Sequence, residues 1–156
     1  MNYKSFPKKY FNISQGNNKN DDFTLESLDK NLSPYRLKYL KPFIMNLPKN
    51  AKLLDLGSGT GKACMIVKAY RPDVQLYATD ISDLGEHFPK DIDFKQGSAE
   101  DLKSLYPENF FDGIISLHLI EHLIFPMDMI DGIWHVLKKG GRVFIETPNW
   151  TRVFVP

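Results

Sequence analysis

The chain has one cysteine, Cys64, in 156 residues. A disulfide framework within the chain is thereby excluded, and a reducing compartment, the cytoplasm, is the expectation. No apolar run approaches the ~18–20 residues of a membrane-spanning helix. The N-terminus, with Lys4, Lys8 and Lys9 among aromatics, lacks the continuous apolar stretch of a signal peptide. There is no internal repeat and no low-complexity tract. Basic residues never reach the density of a nucleic-acid patch, so neither nucleic acid nor membrane is expected as a partner. The formal net charge of +1 does conceal an asymmetry. Residues 1–52 hold ten Lys/Arg against four Asp/Glu, while residues 53–156 hold ten against fifteen. A basic N-terminal segment beside an acidic body either attracts an anionic substrate or forms solvated helix faces.

The bulk composition, 42% hydrophobic and 25% charged, is that of one globular domain with a core. Residues 14–22 are polar and read as a loop or disordered segment. From Thr24 to Leu47 apolar residues recur at helical intervals, broken by Pro34, Pro42 and Pro48. The expectation is therefore a helical lid segment over residues 1–50, followed by a sheet domain over 51–156. In that second part strand and helix patterns alternate. Strands are expected at Lys52–Leu56, Gln75–Thr79, Phe94–Gln96, Gly113–Leu117 and Arg142–Glu146, with helices at Lys62–Tyr70, through Leu105, and from Met127 to Lys138. The last helix would end in Lys-Lys-Gly-Gly, a basic turn with a glycine cap. Such alternation predicts an α/β fold, a Rossmann-like doubly wound parallel sheet of about five strands.

The most informative stretch is Leu53–Lys62, a short apolar strand that runs through Asp55 into Gly57, Gly59 and Gly61. A strand entering a glycine-rich turn brings bare backbone against a nucleotide-like group, and the spacing says which. A phosphate-binding loop of the form G-x-x-x-x-G-K-[ST] fails, because position 56 is Leu and position 63 is Ala. The dinucleotide fingerprint G-x-G-x-x-G fails in both registers, its third glycine falling on Lys62 or Cys64. What remains is acidic-x-G-x-G-x-G.

With that spacing the chain resembles the class I S-adenosylmethionine (SAM) dependent methyltransferases, the broad small-molecule group. The likeness runs from about Ala51 to Asn149 through five ordered blocks: LLDLGSGTGK, YATDIS, FKQGSAEDL, FDGIISLHLIEHL and HVLKKGGRVFIETPN. The resemblance implies SAM as cofactor, leaving as S-adenosylhomocysteine. It implies a cofactor site built from Asp55, Gly57, Ser58, Gly59, Thr60, Gly61, Asp80, Ile81, Ser98, Ala99, Leu117 and His118. Asp55 would accept from the methionine ammonium, loop N–H groups would meet its carboxylate, and Asp80 would accept both ribose hydroxyls. Ile81 would face adenine. Ser98 would contact the adenine edge or, as a helix N-cap, only its own backbone. Leu117 and His118 would flank the methionine arm.

His118, Glu121 and His122 stand at i, i+3 and i+4, where a helical turn brings them to one face. Three readings are open. His118 or His122 is a general base for a hydroxyl acceptor, the set binds a divalent ion, or the cluster is structural. The metal reading resembles the E-x-x-E-H motif of small-RNA 2′-O-methyltransferases, though the downstream histidine of that family has no counterpart. No metal is expected.

The resemblance stops at strand five, whereas the group continues into a sixth strand and an antiparallel seventh. An apolar edge would then be left bare. A fold-over by Val153–Val155, a partner or second copy, and truncation of a longer chain are the explanations open. By the resemblance, the expected activity is methyl transfer to a small-molecule or sugar acceptor, O-directed. The alternatives are a non-catalytic SAM-binding module or partner subunit, and a metal-assisted RNA 2′-O-methyltransferase.

Overall fold

A computed structural model of the chain describes residues 29–30 and 32–148. The polar stretch 14–22 and Val153–Val155 lie outside the described residues. Asp29 and Lys30 are helical, and two short helices follow, α1 (Pro34–Lys38) and α2 (Leu40–Met45). Ser33 caps α1 by accepting from the Arg36 N–H, and Pro34 starts it with a preset φ. There follow β1 (Lys52–Leu56), α3 (Lys62–Tyr70), β2 (Gln75–Asp80), β3 (Ile92–Gln96), α4 (Leu102–Leu105), β4 (Phe111–Leu117), α5 (Pro126–Val136) and β5 (Leu137–Glu146). Short 3-10 turns at Gly85–His87, Ala99–Asp101 and Ile120–His122 join them.

All strand pairs are parallel, in the order β3-β2-β1-β4-β5. The chain moves outward one way from β1 and then the other way from β4. The carboxyl ends of β1 and β4 therefore form the topological switch point, where open α/β sheets place their ligands.

Strand alternation divides the core. Leu53 of β1 faces α2 and α3, joining Leu40, Ile44, Cys64, Val67, Leu76, Ala78 and Ile115. Leu54 and Leu56 face the other way, joining Leu102, Phe111, Ile114, Met129, Ile133 and Val136. Asp55 is two residues from Leu53 and shares its face, so its carboxylate is directed into the α3 side of the sheet.

The end of α5 differs from the expectation. The helix stops at Val136, and Leu137 is already extended at φ −81°, ψ 133°. Leu137 pairs with Phe111 of β4, and Lys138 Nζ donates to Asp112 Oδ1 at 2.7 Å. Those two contacts draw the chain into the sheet, so Lys138–Gly141 are strand residues rather than a helix cap. Gly140, at φ +81°, lies beside the register shift between Phe111 and Gly113.

Candidate cofactor site

Three acidic residues lie at or beside the carboxyl ends of strands: Asp55 on β1, Asp80 on the adjacent β2, and Glu146 on β5 beyond β4. Asp55 is 3% exposed, and its Oδ2 accepts from the Cys64 thiol at 3.4 Å. Burial first, then the nearby Asp80 carboxylate, push Asp55 up to about 6 against the pull of the Cys64 bond. Burial and the Asp55 charge push the thiol up as well, so Cys64 remains a donor. Asp55 is thus a buried carboxylate whose neutral partner does not balance its charge.

Asp80 organises the loop. Its Oδ2 accepts from Gly59 N at 2.8 Å and its Oδ1 from Ser82 N at 2.9 Å. Each oxygen retains a free lone pair for a hydroxyl donor. Ile81, next in the chain, is 73% exposed, an apolar surface beside an acidic one.

Gly57, Gly59 and Gly61 all have positive φ. At Gly61 a Cβ would stand 2.7 Å from the Phe88 ring, and at Gly57 2.8 Å from a Leu119 methyl. At Gly59 nothing lies within 4 Å of that position, so the loop presents bare backbone to open space. Several loop N–H groups are internally paired: Gly57 N and Ser58 N with Thr79 O, Gly59 N with Asp80, and Gly61 N with Ser58 O. These bonds hold the loop in shape and leave fewer donors for a ligand carboxylate than the sequence suggests. Ser58 Oγ is buried without a partner.

The other expected residues divide. Ser98 is an N-cap, its Oγ accepting from Glu100 N at 3.1 Å. Ala99 is 7% exposed, and its side chain belongs to the core cluster with Leu54 and Leu102. Leu117 ends β4, half-buried against the α3-side core. His118 follows in a left-handed conformation at φ +54°, which is uncommon for a residue with a Cβ. Its N–H donates to Glu146 O at 2.7 Å.

The His118, Glu121 and His122 cluster forms around Glu121 on the 3-10 turn. Glu121 Oε1 lies 3.7 Å from His118 Nδ1 and 3.9 Å from His122 Nε2, and its Oε2 accepts from Thr147 Oγ1 at 3.1 Å. Among the described residues, no group of three or more His, Cys, Asp or Glu side chains is arranged to hold a metal ion. Sequence reasoning missed Arg36 and Glu146, which join this cluster: His118 Nε2 is 3.0 Å from Glu146 Oε1, and Arg36 forks onto the same carboxylate. The acidic residue closing β5 was the available signal, since it parallels Asp55 and Asp80.

Residues 27–153 match the family described as a methyltransferase domain. The chain belongs to the class I SAM-dependent methyltransferase family. Over 126 residues this methyltransferase domain is 30% identical to the ubiquinone biosynthesis O-methyltransferase of Xylella fastidiosa (strain M23), covering 77% of this chain and 50% of that protein. The chain spans about half the length of the curated relatives it matches. In fold it resembles the YcgJ protein from Bacillus subtilis, with a TM-score of 0.61 at 23% identity over 72% of this chain and 50% of that one. Phosphoethanolamine N-methyltransferase 2 of Haemonchus contortus, solved in complex with S-adenosyl-L-methionine, has a TM-score of 0.60 at 23% identity, covering 71% of this chain and 27% of that one.

The methyltransferase domain's own residues fit that cofactor. Asp55 is an under-balanced buried carboxylate suited to an ammonium group. Asp80 has lone pairs suited to a vicinal diol, Ile81 offers an exposed apolar surface, and Gly59 leaves space between them.

Proposed function

We propose that this domain transfers the methyl group of SAM to a hydroxyl oxygen of a small molecule. The observation that carries the reading is the placement of Asp55 and Asp80 on adjacent strand ends around the open backbone of Gly59. The names of the curated relatives, ubiquinone biosynthesis O-methyltransferases, support an oxygen acceptor.

When bound, SAM supplies an electrophilic methyl group on a sulfonium and leaves as S-adenosylhomocysteine. Asp55 holds the amino group of its methionine arm, and Asp80 holds its ribose. Leu117 and His118, at the end of β4, border the reacting side. A hydroxyl is a poor nucleophile until its proton is taken, and His118 is the base assigned here. Its ring is 49% exposed and therefore open to an acceptor, while Nε2 is fixed against Glu146. Nδ1 takes the proton, and the resulting imidazolium lies between the carboxylates of Glu121 and Glu146. His122 is 74% exposed, and its Nε2 meets Glu121 Oε1 only at 3.9 Å, a looser contact than the 3.0 Å between His118 and Glu146. The helices α1 and α2 form the lid segment on the acceptor side, consistent with Arg36 reaching the end of β5.

Incubation of the purified chain with methyl-labelled SAM and a panel of phenolic, sugar and aliphatic hydroxyl compounds tests the proposal. Label transfer to at least one hydroxyl acceptor, lost in His118→Gln, is the expected result. Tight SAM binding with no transfer to any acceptor would support instead a non-catalytic SAM-binding module.

A further inference from the structure

We infer that Glu146 is a positioning residue that ties the seating of α1 to the tautomer of His118. The inference rests on the assignment of His118 as the base, and it concerns what holds that base.

Glu146 is the last residue of β5 and pairs in register with Leu117, which places it beside His118. Its side chain is 13% exposed. Oε1 accepts from Arg36 Nη2 at 2.7 Å and Nε at 3.2 Å, and Oε2 lies 3.1 Å from the same Nε. Oε1 is also the atom that meets His118 Nε2 at 3.0 Å. One carboxylate oxygen thus serves both the guanidinium and the imidazole.

The two ends of this bridge differ in what else holds them. Helix α1 has five residues and buries none of them. Tyr35 and Tyr39 pack against each other while remaining 51% and 45% exposed. With so little apolar burial in α1 itself, the two-pronged Arg36–Glu146 contact ties the helix to the end of β5, a geometry that fixes both partners. On the other side, the His118 backbone is fixed by its N–H bond to Glu146 O, but the ring is half exposed. Glu146 at Nε2 selects the tautomer with hydrogen on Nε2 and the lone pair on Nδ1. The charged groups around the ring are Glu146, Glu121 and, through these, Arg36 and His122. When Arg36 is in place, the carboxylate is held in the plane that receives Nε2–H. When α1 lifts, Arg36 leaves, Glu146 can rotate, and the base loses its orientation. An ion pair that served stability alone would have no influence on the histidine.

Long-range ¹H–¹⁵N correlation spectra of the ligand-free full chain, labelled at histidine and recorded above the imidazole titration, read the tautomer directly. His118→Gln assigns the signals. Wild-type chain should show the Nε2–H tautomer at His118. Arg36→Met, which removes no contact of His118 itself, should move the His118 nitrogen shifts toward those of a tautomer mixture. Glu146→Gln should do the same and raise amide exchange across 34–38 by about tenfold, the equivalent of one lost charged bond. Arg36→Lys, which keeps charge without the fork, should restore the shifts only in part. If Arg36→Met leaves the His118 shifts at their wild-type values, or Glu146→Gln leaves exchange in α1 unchanged, the coupling does not exist. Should Glu146→Gln fail to fold, the Arg36 variants, on a helix that buries nothing, carry the test. A chain that shows the coupled shifts but binds no SAM would overturn the methyltransferase assignment and leave this inference standing. The reverse result would overturn this inference alone.

Discussion

The Cys64 thiol, three residues into α3, donates to Asp55 Oδ2 at 3.4 Å, so the first acidic residue of the site is met by a weak neutral donor. The contact follows from strand alternation, which turns Asp55 toward the same side as Leu53 and therefore toward α3. A thiol can shape such a site without neutralising it.

That arrangement has a pH signature. Asp55 is raised from 3.8 to about 6. Between those values the folded chain binds more protons than the unfolded one, so stability falls as pH rises. The contribution is fully present below about pH 4 and lost through pH 6, amounting to about 3 kcal/mol. Chemical denaturation of wild type and Asp55→Asn from pH 4 to 7 measures it. The wild-type stability should decline relative to the variant across that window, and a flat difference would count against the assignment.

Asp80→Ala removes the acceptor for Gly59 N, the acceptor for Ser82 N and the proposed ribose contact together. SAM affinity should drop by about 10- to 100-fold, as expected for charged hydrogen bonds. Calorimetric titration is the check.

Gly61 requires both a left-handed backbone, at φ +79°, and the space that Phe88 approaches. Gly61→Ala should cost about 1–3 kcal/mol. Pairing it with Phe88→Ala removes the clash but not the backbone strain. The double variant should therefore show a smaller loss than the sum of the two single changes, measured by urea unfolding.

Arg71 ties the helical segment to the sheet domain. Its guanidinium donates to the carbonyls of Ile44, Met45, Leu47 and Pro48 and grips Asp73 through both oxygens. The Arg71 bond holds Asp73 well below the usual carboxylate range, helped by Asn50 N–H. Here the unfolded chain binds more protons at low pH, so this contribution is present above about pH 4 and lost below it. Arg71→Met should destabilise the chain by about 2–3 kcal/mol at neutral pH, by removing the donor that joins the 44–48 carbonyls and the cationic partner of Asp73. The loss should shrink as pH falls below 4 in denaturation curves.

Much of this was readable from the chain. Lys52–Leu56 and Lys62–Tyr70 fall where periodicity placed them, because a buried parallel strand and a helix ended by Arg71-Pro72 leave strong local marks. The strand-end positions of Asp55 and Asp80 and the left-handed turns at the glycines were legible for the same reason: turn geometry and strand ends confine them. The Lys138–Gly141 segment was misleading. A basic run before two glycines matches a helix end, but the pairing of Leu137 with Phe111 is a long-range fact. Ala99 was expected at the cofactor and its side chain is in the core, since one small residue reads alike in both settings. Arg36 and Glu146 were invisible as a pair, being 110 residues apart with no shared spacing.

The central claim is that Asp55, Asp80 and the loop between them hold SAM. Titrating the ligand-free chain with SAM, S-adenosylhomocysteine, NAD and NADP by calorimetry tests it most directly. The account predicts one saturable site for the first two, weakened in Asp55→Asn and Asp80→Ala, and no heat from the nicotinamide dinucleotides. Binding of NAD or NADP alone, or SAM affinity unchanged in both variants, would contradict it.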